Sequence, residues 1–330
     1  MAPTHTQTFY QEISQNRRRS ALLVLVVAAL FAALGFSIGY AMTGRTVGGV
    51  AVMVIALLIA MLLSAGSYFA GDSLVLATSG AHEVTEADSP QLINVVRELT
   101  IAADIPMPRV YVIDDSAPNA FATGRDPQHA SVAITSGLLQ KLNREELQGV
   151  MGHELSHVRN YDIRFTLLVG VLVGSIALLA DFFLRFTFWG GLAGGGRRRS
   201  NDSGANIQAL FMIIALVLAI LAPFFAALVQ LAVSRQREYL ADASSVDLTR
   251  NPYGLERALA KIAADPEPLE AANRATQHLY IVNPMKKLGE RSSGLFSTHP
   301  PILDRINRLR QLTGEAPLDP SSAQSLTGLD

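Results

Sequence analysis

His153-Glu154-Leu155-Ser156-His157 sets two imidazoles four residues apart with a carboxylate between them. On a helix, positions i and i+4 share one face. The two rings can then bind one Zn2+ together, and Glu154 can reach a water beside it. A catalytic zinc of this kind needs one further protein ligand. In one solution a third His follows six residues after the second. Here that position is Ile163, and the accompanying Gly position is Asn160, so that class is excluded. The other solution is a Glu from a later helix. Glu238, in Arg237-Glu238-Tyr239-Leu240-Ala241-Asp242, is the best candidate. Asp242 lies one turn further on the same face, placed to accept the free ring N–H of a ligand histidine, expected to be His153. The chain has no Cys, so no thiolate can hold the metal, and a His–carboxylate set suits a catalytic zinc. The chemistry of such a set is peptide hydrolysis. Glu154 takes a proton from the attacking water and delivers it to the leaving amine.

These residues need elements to hold them. Asn143 with Glu146 reads as a capping box opening a helix. Leu147, Met151, Leu155 and Val158 form its apolar stripe, and His153 and His157 lie beside that stripe. The helix can pack its stripe and still present both rings to a cleft. Ser89-Pro90 reads as N-cap and N1 of an earlier helix carrying Leu92, Val95, Val96 and Leu99. Val110–Ile113 and Ser131–Thr135 are short and β-branched, so they read as strands. The fold class expected is α+β, predominantly helical, with a small sheet.

The chain is 330 residues long and 49% hydrophobic, which suits two or three domains but is high for a soluble protein. A net charge of −1 gives no reason to expect a nucleic-acid partner. Ser20 to Gly44 and Thr46 to Gly71 are long uncharged runs after Arg17-Arg18-Arg19. Each exceeds the roughly 20 residues that cross a bilayer core. A cleaved signal has an apolar region of only about 7–15 residues, so a transmembrane hairpin is expected, its basic start in the cytoplasm. Residues 1–19 form the basic tail, 20–71 the hairpin, and 72–163 the first part of the catalytic domain. A second apolar pair falls in 164–233, around a Gly- and Arg-rich linker at 186–206 containing Arg197-Arg198-Arg199. If both members span, that linker faces outside against the positive-inside rule; otherwise the pair packs within the protein or on the membrane surface. Spanning is favoured. Asp181 and Arg185 near its first member read as an i,i+4 pair. Residues 234–313 complete the catalytic domain, and 314–330 read as a disordered tail.

Taken together, Asn119-Ala120-Phe121-Ala122-Thr123-Gly124, Gly152-His153-Glu154-Leu155-Ser156-His157, Arg237-Glu238 with Ala241-Asp242, and Ser297-Thr298-His299-Pro300-Pro301 with Arg305-Ile306 occur in fixed order through most of the chain. In these motifs it resembles the HtpX-type membrane zinc metalloproteases, related to the CAAX prenyl endopeptidases. The resemblance implies the gluzincin fold and a multi-pass protein of the bacterial inner membrane. It implies one Zn2+ held by His153, His157 and Glu238, a site facing the cytoplasm, and degradation of misfolded or damaged membrane proteins. It also makes His299 and Arg305 candidates for stabilising the developing oxyanion. An extended polypeptide substrate can add to a sheet edge. Ser131, Val132, Ala133 and Ile134, just before the zinc helix, are the expected edge, with Asn119 holding the peptide from the other side. Two other readings carry less. An inactive scaffold is opposed by the intact Glu154, and a transporter by the large soluble part.

Overall fold

The computed structural model describes residues 9–166, 180–181, 184–185, 203–265, 267, 280–281 and 300–318. His299, most of the 165–180 run, most of the 186–206 linker and the last twelve residues lie outside these. The helices are α1 (Phe9–Thr43), α2 (Thr46–Thr78), α3 (Pro90–Ala103), α4 (Ser136–Lys141), α5 (Arg144–Arg159), α6 (Ser203–Thr249), α7 (Pro252–Ala264) and α8 (Ile302–Thr313). The strands are β1 (Ala81–Glu83), β2 (Arg109–Ile113), β3 (Ala120–Gly124) and β4 (Ala130–Thr135). The expected predominance of helix around a small sheet is therefore present. The described residues fall into two compact units. One comprises Met1–Asn16, Phe69–Leu167 and Leu231–Asp330, the other Arg17–Tyr68 and Leu168–Gln230.

The first unit contains the sheet, in the order β1-β2-β4-β3. Strand β2 runs parallel to β4, and the outer pairs are antiparallel. The chain leaves β2, passes the place of β4, forms β3 and turns back into the gap. A 3-10 turn at Pro127–His129 makes that return, with the Asp126 carboxylate accepting from the His129 N–H. Gly124, at φ 136, closes it, because a Cβ there would meet the His129 carbonyl oxygen at 2.3 Å. Side chains alternate across the sheet as a pleated strand requires. Val110, Val112, Ala120, Ala122, Val132 and Ile134 enter the core shared with α3, α5 and α7. Tyr111, Ile113, Phe121 and Ala133 face the other way, against Leu76 from the last turns of α2 and against Tyr280. A sheet covered on both faces has little need for polar positions, which is why these strands read as apolar runs.

This order corrects one expectation. β4 is an inner strand, paired with β2 from Ser131 to Thr135 on one side and with β3 from Ala130 to Ile134 on the other. Ser131, Val132, Ala133 and Ile134 have no free backbone edge to offer a peptide. Proximity in sequence to the zinc-motif helix suggested the edge, but the β3–β4 return places β3 outermost.

α5 opens as its sequence requires. The Asn143 side chain accepts from the Glu146 N–H at 3.0 Å, and the Glu146 carboxylate accepts from the Asn143 N–H at 2.8 Å. α3 also starts where expected, with Pro90 at its first turn, but the Ser89 side chain makes no cap.

In the second unit, the α1–α2 turn is tight. A Cβ on Gly39 would meet the Gly48 carbonyl oxygen at 2.4 Å. Leu34, Ile38, Ala180, Ala215 and Ala219 form its core. Asp181 and Arg185 are paired as expected, at 2.7 Å. Among the described residues, one segment, Thr46–Gly66, is long and apolar enough to cross a membrane. The apolar parts of α1 and α6, Ala28–Thr43 and Ala209–Leu221, are shorter.

Candidate metal centre

The site begins with a close approach of two helices. Gly152 faces α6, where a Cβ would meet the Ser245 hydroxyl oxygen at 2.9 Å. The same hydroxyl donates to the Gly149 carbonyl at 2.7 Å. Small residues at this crossing let α6 carry Glu238 up to the histidines of α5. Leu147, Met151, Leu155 and Val158 are wholly buried on the other side of α5, so the helix cannot rotate the rings away without exposing its core.

The His153 and His157 Nε2 atoms are 3.2 Å apart. The Glu238 carboxylate oxygens lie 3.6 Å from each of them. One ligand atom from each of the three residues falls within 4.8 Å of the other two. Each ring's second nitrogen meets a carboxylate. Asp242 Oδ1 is 2.9 Å from His153 Nδ1, and Asp162 Oδ2 is 3.1 Å from His157 Nδ1. Two imidazole nitrogens and one carboxylate oxygen, buried and convergent, with a carboxylate behind each ring, form a donor set that fits a catalytic divalent metal.

Arg305, on α8, is fully buried and fork-bonded to Asp242. Its Nη2 donates to Oδ1 at 2.7 Å and its Nε to Oδ2 at 2.9 Å. Its Nη1 donates to the Ile281 carbonyl at 2.8 Å and lies 3.6 Å from Glu238. The oxyanion role expected for Arg305 thus meets a competing geometry, since Asp242 and Ile281 take its donors. Asn119 is buried at the head of β3. Its N–H donates to Thr135 Oγ1, and its side-chain oxygen accepts from the Ala120 N–H. The Ala120 carbonyl, which faces away from β4, accepts from the Ile281 N–H at 2.9 Å.

The electrostatics follow from burial and these partners. Burial and Arg305 oppose a charge on His153, but the hydrogen bonds and charges of Asp242 and Glu238 outweigh them and raise it to about 9. Burial works against ionised Asp242 too, yet the Arg305 guanidinium holds its carboxyl below the ordinary value. Glu154 is shifted upward, chiefly by burial, against the pull of the two histidines. It is 1% exposed, and its Oε1 has no hydrogen-bond partner among the described residues. A buried carboxylate shifted in this way and lacking a partner marks a functional site.

The motif residues sit within a stretch, 86–313, that matches the model of Peptidase family M48. The chain belongs to this family. As an M48 member it is a metallopeptidase that acts on polypeptides, and its likeness to HtpX proteases runs nearly end to end. The "Protease HtpX homolog" of Streptococcus uberis is 45% identical over 304 residues, covering 92% of this chain and 99% of that protein. That of Streptococcus mutans is 46% identical over 303 residues, with the same shares. That of Dictyoglomus turgidum is 44% identical over 305 residues, 92% of this chain and 95% of that protein. Among solved structures, "Crystal Structure of S. mikatae Ste24p" is matched at a TM-score of 0.46 and 16% identity, over 91% of this chain and 67% of that one.

Sequence reasoning missed two neighbours of the site, Asp162 and Arg237. Arg237 was visible only as the residue beside Glu238. Asp162 follows the helix end, where no periodicity marks it.

Proposed function

We propose that the chain is a zinc-dependent endopeptidase of the bacterial inner membrane, multi-pass, with its site facing the cytoplasm and misfolded or damaged membrane proteins among its substrates. The observation that carries the reading is the convergence of His153, His157 and Glu238, each histidine backed by an aspartate. These three would hold the ion, which when bound would supply Lewis-acid chemistry, acidifying water and polarising a carbonyl. Zinc is favoured by the nitrogen-rich, thiolate-free set. Glu154 takes the proton of the attacking water and hands it to the leaving amine. Its upward shift makes the carboxylate a stronger base, which favours the first of these transfers. Asp242 fixes His153 with the proton on Nδ1, and Arg305 anchors Asp242 by two bonds. His299 enters on its motif alone as a donor for the oxyanion.

The substrate needs an unpaired strand edge near the rings, and β3 is the outermost strand on the zinc-helix side of β4. Ala122, by alternation, turns its backbone groups outward there, while those of Ala120 are taken by the Ile281 N–H and the Asn119 side chain. Main-chain pairing asks little of substrate sequence, as a quality-control protease requires. The long apolar α2 supports anchoring in a bilayer. The α1–α2 hairpin and the apolar pair around residues 164–233 complete the proposed spans.

The experiment compares Glu154→Gln and Glu238→Ala. Glu154→Gln keeps stoichiometric zinc while casein cleavage falls to near zero. Glu238→Ala loses the zinc. Cleavage at the wild-type rate by Glu154→Gln sinks the mechanism, and full zinc in Glu238→Ala removes it from the ligand set.

A further inference from the structure

Immediately after α5 the chain doubles back. Tyr161 takes a left-handed conformation at φ 61, which a residue with a Cβ rarely adopts. The reversal returns Asp162 to the helix it has just left, its Oδ2 3.1 Å from His157 Nδ1. The other oxygen, Oδ1, faces Arg237 Nε at 3.3 Å. The Arg237 guanidinium lies over the Phe165 ring, 3.7 Å from its centroid, in the range of a cation–π contact. Asp162, Phe165 and Arg237 are 2%, 4% and 6% exposed. A buried aspartate is costly unless paired and hydrogen-bonded, so this one is held in place rather than tolerated. The order ring, carboxylate, guanidinium repeats the one behind His153, where Asp242 and Arg305 take the same two places.

We propose that Asp162, fixed by Arg237 and Phe165, is the positioning residue for His157. It accepts a hydrogen bond from Nδ1–H, which leaves the lone pair on Nε2, the nitrogen that faces Glu238 and His153. Arg237 precedes Glu238 in sequence, so one turn of α6 supplies both a ligand and the brace of a second ligand. The proposal rests on the metal-site reading above. It adds that the turn after α5 belongs to the metal centre.

The test titrates the metal-free full-length chain in detergent with Co2+, reading the visible absorption band, and with Zn2+ against a chelator. Wild type gives a defined band and tight zinc binding. Asp162→Ala weakens zinc by about 10–100-fold, the usual effect of losing such a partner, and alters the cobalt band. Asp162→Asn keeps the volume and an acceptor for Nδ1, so its loss is smaller, and it covers the case in which the alanine variant does not fold. Wild-type affinity and an unchanged band in either folded variant overturn the proposal, even if the variant melts lower, because a purely structural residue would behave that way. Failure of the wild type to take up either ion overturns the metal-site reading itself, and this inference with it.

Discussion

At the centre, two protonation equilibria run in the same direction before any metal binds. His153, raised to about 9 by its carboxylate neighbours against burial and Arg305, binds its proton more tightly folded than unfolded. Glu154, shifted upward chiefly by burial, does the same. A group whose folded value exceeds its unfolded one stabilises the fold at low pH and loses that contribution as pH rises. For His153 the contribution is complete below its ordinary 6.5 and is lost through about 9, a change on the order of 3 kcal/mol. A bound metal would need the neutral imidazole, so binding competes with this proton. The melting temperature of the metal-free chain should therefore fall between pH 6.5 and 9, while that of the zinc-loaded chain falls less. Scanning fluorimetry across that range checks it, and a level metal-free profile would contradict the assignment. The same residues show what sequence could reveal. Glu238 and Asp242 could be found because a helix repeats every four residues. Asp162 could not, because its approach to His157 depends on one left-handed residue, Tyr161, and tyrosine does not advertise that conformation.

At the scale of elements, the site depends on how closely helices approach α5. Gly149 faces the start of α7, where a Cβ would meet the Leu255 backbone nitrogen at 2.4 Å and its Cα at 2.7 Å. Backbone cannot swing aside as a side chain can, so Gly149→Ala must push α5 and α7 apart. Overpacking of this kind costs about 1–3 kcal/mol. The variant should melt several degrees lower, with zinc affinity reduced only as far as α5 tilts. A melting temperature equal to wild type would show that the two helices have slack. α8 clamps from the opposite direction, through Arg305 on Asp242 and Arg308 stacked on the Tyr239 ring at 3.6 Å. Arg305 entered the sequence reading through its motif, but its partner was not legible, since nothing local ties residue 305 to residue 242. The capping box of α5 was legible because both of its hydrogen bonds lie within four residues. The sheet order was not. Strand identity follows from β-branched runs, whereas the insertion of β4 between β2 and β3 is a long-range outcome, and that is why the wrong strand was assigned the open edge.

For the molecule as a whole, the question is which environment surrounds α2. Only 17% of the apolar window in Thr46–Gly66 is buried, whereas the core helix of a soluble domain is mostly covered. Leu58, Met61 and Leu62 stand 51%, 65% and 71% exposed. In water such a stripe would drive aggregation; in a bilayer it meets a solvent as apolar as itself. Leu58 lies near the middle of the segment, where an arginine costs about 2.5–3.5 kcal/mol on insertion scales. Leu58→Arg should therefore shift much of the chain into the fraction released by alkaline washing of membranes. A swap at Tyr253, which lies 38% exposed on α7 in the other unit, should leave the wild-type distribution unchanged. Equal retention of Leu58→Arg and wild type would mean that this face of α2 does not contact lipid, and the inner-membrane placement would then have to rest on the remaining apolar segments alone.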